Sequence, residues 1–349
     1  MQAFSRVRAQ CYSSQRRERA HFHMTLVRLA VVIAGLLVSS IAPALPSESL
    51  LHQVAVFSDN AEAVHDPRYQ QNQAGADAMF APIGLIRTNG LVPDDFGPAA
   101  PSHIHLGTAF LVSPCHVLTD FHVVFGARTT KPDPDQDYSA TFILGKKMVH
   151  AVPAAYGEFY RFRGRDWALY ALEPDADHRC LGEDPAIGWI RLAPLDRPAA
   201  QNKSLSIAGY PSDKSLSSLW REDACRLYER QGNIEYDGIW TTDCATRPGA
   251  SGSPIFFIED GVLNVVAIMS GHVGPTDNRE ILPKWDASRA NLALDIGKII
   301  SSEPEFMRLI ALDLDRFARS KIAPVPSLPT VDAASSSSAA VPDESVAPQ

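Results

Sequence analysis

Three short segments hold side chains that could act together in acyl transfer. Gly249-Ala-Ser-Gly-Ser-Pro254 places Ser251 in a tight, sterically open turn, where the backbone amides of Gly249 and Ser251 can converge on one point. Two such donors form an oxyanion hole, which stabilises a tetrahedral intermediate. Turns rich in Gly and Ser are common, so this segment taken alone is more typical of a plain hairpin loop.

The other two segments supply a base and a carboxylate. Leu118-Thr-Asp-Phe-His122 follows an apolar strand and ends in a histidine that could remove a proton from a serine. Arg165-Asp-Trp-Ala-Leu169 opens a further apolar strand, and Asp166 could accept a hydrogen bond from His122 Nδ1. Taken singly, His122 is equally well explained as a hydrogen-bonded core histidine, and Asp166 as a strand-start cap.

The order and flanking residues of these segments strengthen their joint interpretation. Gly107-Thr-Ala-Phe-Leu-Val-Ser-Pro114 precedes the histidine, aspartate and serine motifs in chain order. With these four motifs, the chain resembles the trypsin-like peptidase superfamily over roughly residues 80–298, and most of all its bacterial branch of glutamyl endopeptidases and HtrA-type proteases. The resemblance implies that Ser251 is the nucleophile, His122 the general base and Asp166 its orienting partner, and that the amides of Gly249 and Ser251 bind the oxyanion.

The resemblance implies a serine endopeptidase that acts on polypeptides through an acyl-enzyme, without a cofactor, and that we expect to be a monomer. The alternative is a catalytically idle binding protein on the same fold. The complete His122, Asp166 and Ser251 set argues against that alternative. An HtrA-like chaperone-protease would need a further peptide-binding domain, and the roughly 50 residues after Gly297 are too few for one.

By the same resemblance, six residues line the substrate cleft: Ala245, Thr246, Met269, Ser270, Gly271 and His272. Ala245 stands where members that cleave after Arg or Lys carry Asp, so that preference is not expected. Met269 stands where glutamyl endopeptidases place a histidine, which favours a small or apolar substrate residue. His272 could restore an acidic preference only if its loop bends toward the pocket. Ser270 and Gly271 are expected to hold an extended substrate as an added strand.

One departure from the family concerns activation. Mammalian-type members carry an Asp directly before the nucleophile, and it pairs with a new N-terminal amine after zymogen cleavage. Here that residue is Ala250, which cannot form the pair. We therefore expect the oxyanion turn to form without this switch.

The elements that must position these residues are short apolar runs separated by Gly, Pro and Asp clusters, a pattern typical of all-β sandwiches and barrels. The resemblance implies two six-stranded Greek-key β-barrels, at 78–180 and 181–298, with the active site between them. A C-terminal α-helix is predicted over 299–320, with Ser302 as its N-cap. Its apolar face should pack on the barrels.

The two ends of the chain differ from this core. Residues 1–44 are interpreted as an upstream extension plus a signal peptide at about 24–44, because an apolar run follows Arg28 and Ala42-Pro-Ala44 supplies a cleavage site. This predicts a secreted or periplasmic protein. An uncleaved membrane anchor remains the alternative. Residues 45–77 are predicted to be a linker or pro-segment, and residues 321–349 a disordered tail.

Charge and cysteine content narrow the class of protein further. The formal net charge of −8 argues against nucleic acid as a partner. Four cysteines follow the signal peptide, and an even number in an exported chain favours disulfides. We favour Cys225–Cys244 and Cys115–Cys180, although four cysteines allow three pairings. His103 and His105 could share a strand face, but two histidines without a third ligand predict no metal site.

Overall fold

The computed structural model describes residues 56–57, 65–73, 75–90, 92–93, 102–126, 130–159, 161–229, 237–272, 281–282, 285, 288 and 290–322. The predicted signal peptide, most of the predicted linker and the predicted tail beyond residue 322 lie outside these ranges. None of the helices within the ranges combines the length and the apolar character that a membrane span requires.

Strands dominate the described chain, and helices are few until its end. The strands are β1 (Val56–Phe57), β2 (Tyr69–Gln71), β3 (Ile83–Thr88), β4 (Val92–Pro93), β5 (Ser102–His103), β6 (Leu106–Ser113), β7 (His116–Thr119), β8 (Ala140–Leu144), β9 (Lys147–Tyr156), β10 (Ala168–Leu172), β11 (Arg191–Leu192), β12 (Leu205–Gly209), β13 (Leu219–Cys225), β14 (Leu227–Glu229), β15 (Ile239–Thr242), β16 (Pro254–Glu259), β17 (Val262–His272), β18 (Ile281–Leu282) and β19 (Asn291–Asp295). The helices are α1 (Phe121–Phe125), α2 (Arg197–Asn202), α3 (Ile296–Ser302) and α4 (Pro304–Ile322).

Six strands form a closed first barrel in the order β10-β7-β6-β3-β8-β9. Its interior is filled by apolar side chains with no exposed surface, including Ile86, Leu111 and Phe142. β7 and β10 are antiparallel neighbours, and Ala168 lies opposite Thr119. The end of β7, just before His122, therefore lies beside the start of β10, just after Asp166.

The second unit is a nine-stranded sheet whose main path is β14-β15-β19-β17-β16-β12-β13-β2. Arg226 alone separates β13 from β14, although β13 pairs with β12 and β14 pairs with β15. β13 and β14 are therefore consecutive in the chain but lie near opposite ends of the strand order. The sheet therefore curls on itself at Arg226, and this curled nine-stranded sheet is here called the second barrel.

The segment before the first barrel is part of the second sheet. β2 pairs antiparallel with β13, although it lies in the range predicted to be a linker or pro-segment. Arg68, only 8% exposed, forms ion pairs with Asp66 at 2.7 Å and Asp213 at 2.6 Å. A guanidinium between two carboxylates with this geometry is well suited to hold a segment in place.

The predicted N-cap at Ser302 is wrong. Ser302 is the last residue of α3, and its hydroxyl donates a hydrogen bond to the carbonyl of Lys298 within that helix. The long helix α4 begins two residues later at Pro304, a residue that suits the first helical turn. The apolar face of α4 does pack on the barrels, where Phe306 is fully buried and meets Trp167 edge to face.

A buried carboxylate fixes α4 to the first barrel. Asp313 accepts hydrogen bonds from Ser113 Oγ and from the Cys115 N–H, both at 2.7 Å, and lies 3.3 Å from His116 Nδ1. Burial alone would raise the pKa of Asp313, but these hydrogen bonds outweigh it and hold the pKa below its usual range. The helix is therefore held by a charged contact as well as by its apolar face.

Two disulfides join parts of the described chain. Cys115, in the β6–β7 turn, is bonded to Cys180 with Cα atoms 5.0 Å apart. Cys225, at the end of β13, is bonded to Cys244 with Cα atoms 4.8 Å apart. These are the two pairs that the sequence analysis favoured. The second one lies directly beside the bend at Arg226 that closes the second sheet.

Replacing the Asp313 carboxylate should weaken the folded state. Asp313→Ala leaves buried donors without an acceptor, so we expect a loss of about 1–3 kcal/mol in the free energy of unfolding at pH 7. Because the pKa of Asp313 is lower in the folded than in the unfolded chain, this contribution is present above about pH 4 and is lost as the pH falls. Urea unfolding at several pH values measures both effects.

The matched control is Asp315→Ala on the same helix, where the carboxylate pairs with Arg319 in solvent. We expect that variant to change the free energy of unfolding by no more than about 0.5 kcal/mol. Equal losses for the two variants would contradict the role given to Asp313.

Candidate active site

His122 is held by aromatic packing. It lies in α1, a helix of five residues that are all buried. Phe121 stacks on Phe125 with ring centroids 4.6 Å apart, and the ring of Phe159 lies 6.3 Å from that of His122. These neighbours fix the backbone that carries the imidazole.

Asp166 and His122 form a buried pair. His122 Nδ1 lies 2.7 Å from Asp166 Oδ2, and the His122 N–H donates to Asp166 Oδ1 at 2.9 Å. The hydroxyl of Ser270 donates to the same Oδ2 at 2.6 Å. Asp166 has no exposed surface. A carboxylate that accepts from Nδ1–H fixes the tautomer of the ring and leaves Nε2 to accept a proton.

The turn around Ser251 depends on two glycines. Gly249 and Gly252 have φ values of +90° and +85°, in the left-handed region that favours glycine. A Cβ on Gly252 would also lie 2.1 Å from the carbonyl oxygen of Thr108. Ser251 Oγ lies 3.5 Å from the carbonyl oxygen of Ser270, the residue that also contacts Asp166. The structure therefore brings Ser251, Ser270 and Asp166 to one site.

Thr108 connects this turn to the first barrel, a contact that the sequence analysis missed. Its N–H donates to the carbonyl of Ser251 at 2.8 Å, and its hydroxyl donates to the carbonyl of Gly249 at 3.1 Å. The same hydroxyl accepts from the Tyr210 N–H at 3.0 Å. Thr108 sits in one of the family motifs, but nothing in that motif indicates partners more than a hundred residues away.

The residues predicted to line the cleft lie along β17 and the approach to the serine turn. β17 pairs with β16 only as far as Ile268 but with β19 as far as His272. The edge of β17 from Met269 onward therefore borders the Ser251 turn, with the Met269 carbonyl accepting from Gly252 N–H at 2.8 Å. The predicted residues Ala245, Thr246, Met269, Ser270 and His272 are all buried.

A further carboxyl lies behind Ala245. Glu222 on β13 is 6% exposed and accepts a hydrogen bond from the Ala245 N–H. Burial raises the pKa of Glu222 well above its usual range. The hydroxyl of Thr246 is buried and has no hydrogen-bond partner among the described residues. The wall that contains Ala245 and Thr246 is thus less apolar than its sequence suggested.

Two clusters of metal-ligating residue types occur in the described ranges. One contains Cys115, Cys180 and Glu183, but its sulfurs are joined in a disulfide and are not thiolates. The other contains Asp120, His122 and Asp166, where the His122–Asp166 hydrogen bond already occupies the groups that a metal would need. Neither cluster is proposed as a metal site.

The Gly252 contact generates a test of the serine turn. Gly252→Ala combines a positive φ with a clash against backbone, so we expect it to lower the free energy of unfolding by about 3 kcal/mol. Gly261→Ala is the matched control, because Gly261 has φ +74° but open space around it. The control should lose only about 1 kcal/mol. Urea unfolding of both variants measures the difference, and equal losses would show that the close approach to Thr108 is unimportant.

Part of the chain is similar in sequence to known peptidases. Residues 107–268 match a family model described as a trypsin-like peptidase domain. Glutamyl endopeptidase of Staphylococcus epidermidis is 25% identical over 177 residues, covering 50% of this chain and 55% of that protein. The Staphylococcus aureus (strain MW2) protein of the same name is 21% identical over 189 residues, covering 53% of this chain and 50% of that protein. The chain thus spans about half the length of the curated relatives it matches.

A solved structure titled "Structure of Glu endopeptidase in complex with MPD" superimposes with a TM-score of 0.50 at 15% identity, covering 71% of this chain and 100% of that one. At this identity, the likeness shows the fold alone. The sequence match and the fold likeness together support a trypsin-like peptidase domain over residues 107–268 of this chain.

Proposed function

We propose that this protein is an exported serine endopeptidase in which Ser251, His122 and Asp166 cleave peptide bonds. The observation that carries the proposal is the buried Asp166 carboxylate, which holds His122 Nδ1 at 2.7 Å beside the glycine turn of Ser251. A histidine held in this tautomer can serve first as general base and then as general acid.

The proposed reaction has two halves. His122 Nε2 takes the proton of Ser251 Oγ as that oxygen attacks the carbonyl carbon of the substrate, and then gives the proton to the leaving amine. Water, deprotonated by the same nitrogen, hydrolyses the resulting acyl-enzyme. Asp166 stabilises the imidazolium in both halves, while the hydroxyl of Ser270 keeps the carboxylate in place through its 2.6 Å hydrogen bond.

The amides of Gly249 and Ser251 are proposed as the oxyanion donors. The turn is supported from the first barrel by Thr108, which binds the carbonyls of both residues. Within the turn, the Ala250 N–H donates to the Arg247 carbonyl at 3.0 Å. These contacts support the expectation that the turn forms without a zymogen-type ion pair at Ala250.

The proposed primary pocket takes a small or apolar side chain. Its base is Ala245, and Met269, which has no exposed surface, lies along β17. The edge of β17 at Ser270 and Gly271 would bind an extended peptide through main-chain hydrogen bonds. Export is supported by two disulfides within the described chain and by the signal-peptide pattern upstream.

An active-site serine probe tests the proposed nucleophile and base. A fluorophosphonate should label the wild-type protein but neither Ser251→Ala nor His122→Ala. Asp166→Asn should lower kcat about 10⁴-fold, because the amide favours the wrong tautomer of His122. Mass spectrometry should find the adduct on Ser251. A folded wild type that stays unlabelled would instead favour an idle binding protein.

A peptide-library digest tests the proposed pocket. With Ala245 at its base, we expect cleavage after small or apolar residues and little cleavage after Arg or Lys. The matched variant is Ala245→Asp, which should shift cleavage toward basic residues because the new carboxylate would need a cation in the pocket. Predominant cleavage after Glu in the wild type would overturn the proposed preference and point to Thr246 or His272 as a polar ligand.

A further inference from the structure

A second buried carboxyl lies beside the proposed catalytic pair. Asp120 comes two residues before His122 and has no exposed surface. Its Oδ2 accepts the Gly252 N–H at 2.8 Å, whereas its Oδ1 has no hydrogen-bond partner among the described residues. Gly252 directly follows Ser251, so this side chain joins the loop of the histidine to the turn of the serine.

Asp120 and Asp166 are close enough to influence each other. One ligand atom from each of Asp120, His122 and Asp166 lies within 4.8 Å of the other two, and all three residues are buried. Two carboxyl groups this close, away from solvent, do not both ionise, because each negative charge opposes the other. A charge on one of them therefore disfavours a charge on the other.

Hydrogen-bond donors decide which carboxyl carries the charge. Asp166 accepts from the His122 N–H, from His122 Nδ1 and from Ser270 Oγ. Among the described residues, Asp120 accepts only from the Gly252 N–H, which also donates to the Met269 carbonyl at 2.8 Å. Because donors stabilise the ionised form, a negative charge is favoured more at Asp166 than at Asp120.

The surroundings of Asp120 point the same way. In the described part of the chain, the titratable groups that face it are Asp166 and His122. Burial raises the pKa of Asp120 well above its usual range, and the charge of Asp166 raises it further. The neutral form of His122, which a general base requires, offers Asp120 no compensating charge.

We propose that Asp120 is a positioning residue that works as a neutral carboxylic acid. It holds Gly252 against the histidine loop and leaves Asp166 as the only negative charge beside His122 within the described part of the chain. The inference rests on the proposed function for its catalytic meaning. A second negative charge at Asp120 would favour the imidazolium form of His122 over the free base. Protonation of Asp120 therefore keeps His122 ready to accept a proton.

The pH dependence of stability tests the charge state without relying on activity. Above about pH 4, the unfolded chain ionises Asp120 while the folded chain keeps the proton, so stability falls as the pH rises. Asp120→Asn is neutral in both states and lacks this loss. The unfolding equilibrium constant of the wild type, divided by that of Asp120→Asn, should rise by up to about tenfold per pH unit. Parallel curves for the two proteins would overturn the inference.

Two controls frame this measurement. Asp313→Asn should give a ratio that is constant above about pH 4 and that, at lower pH, changes in the opposite sense, because the pKa of Asp313 is lowered in the folded state. Glu222→Gln should change in the same sense as Asp120→Asn, because burial raises the pKa of Glu222 as well. The three variants together separate a specific effect of Asp120 from a general change in stability.

Infrared spectroscopy of the wild type covers the case in which Asp120→Asn fails to fold. At neutral pH the wild type should show the carbonyl band of a protonated carboxyl group, and aspartate labelled with ¹³C should shift it. The band of Glu222 should stay in place in that sample. A labelled wild type without a shifted protonated-carboxyl band would overturn the inference, whatever the variants do.

Labelling kinetics connect the charge state to catalysis. Asp120→Ala removes the acceptor for the Gly252 N–H, so its rate of reaction with the serine probe should fall about tenfold. Asp120→Asn keeps an acceptor and should lose less. If the probe fails on the wild type while the pH ratio behaves as expected, the proposed function fails and the neutral carboxyl stands. If the probe labels the wild type and the pH curves are parallel, the neutral carboxyl at Asp120 is wrong and the proposed function stands.

Discussion

The geometry of the site depends on one close approach between the two barrels. The N–H of Thr108 reaches the carbonyl of Ser251 at 2.8 Å, and Gly252 passes so near Thr108 that no side chain fits between them. This contact fixes the position of the serine turn relative to the strand that leads to His122. A residue with a Cβ at position 252 would push the two barrels apart at the point where their side chains must meet.

Buried carboxyl groups in this protein follow one rule. Asp166 and Asp313 each accept several hydrogen bonds, and both serve to hold another element in place. Asp120 and Glu222 each accept one backbone N–H, and burial raises the pKa of both. The number of hydrogen-bond donors, rather than burial alone, distinguishes the carboxyls that accept several hydrogen bonds from the two whose pKa burial raises.

Much of this fold could be predicted because its signals are local. β3, β6 and β16 coincide closely with apolar runs bounded by turn residues, and the motifs around His122, Asp166 and Ser251 lie within a few residues of each side chain. The features that the sequence did not predict depend on competing hydrogen bonds or on partners far away in the chain. Ser302 fits the sequence pattern of a helix N-cap, but its hydroxyl instead donates a hydrogen bond to the carbonyl of Lys298. The partner of Asp120 lies 132 residues away, so no window of sequence contains both.

The strand β2 has a consequence for what can be removed from the N-terminal side of the chain. Its pairing with β13, and the clamp of Arg68 between Asp66 and Asp213, make these residues part of the folded body. A cut that removed them would expose the edge of β13 and leave Asp213 without its cation. Trimming from the N-terminal side would therefore meet the folded body first at β1, where buried Val56 and Phe57 pair with β18, and again at Asp66.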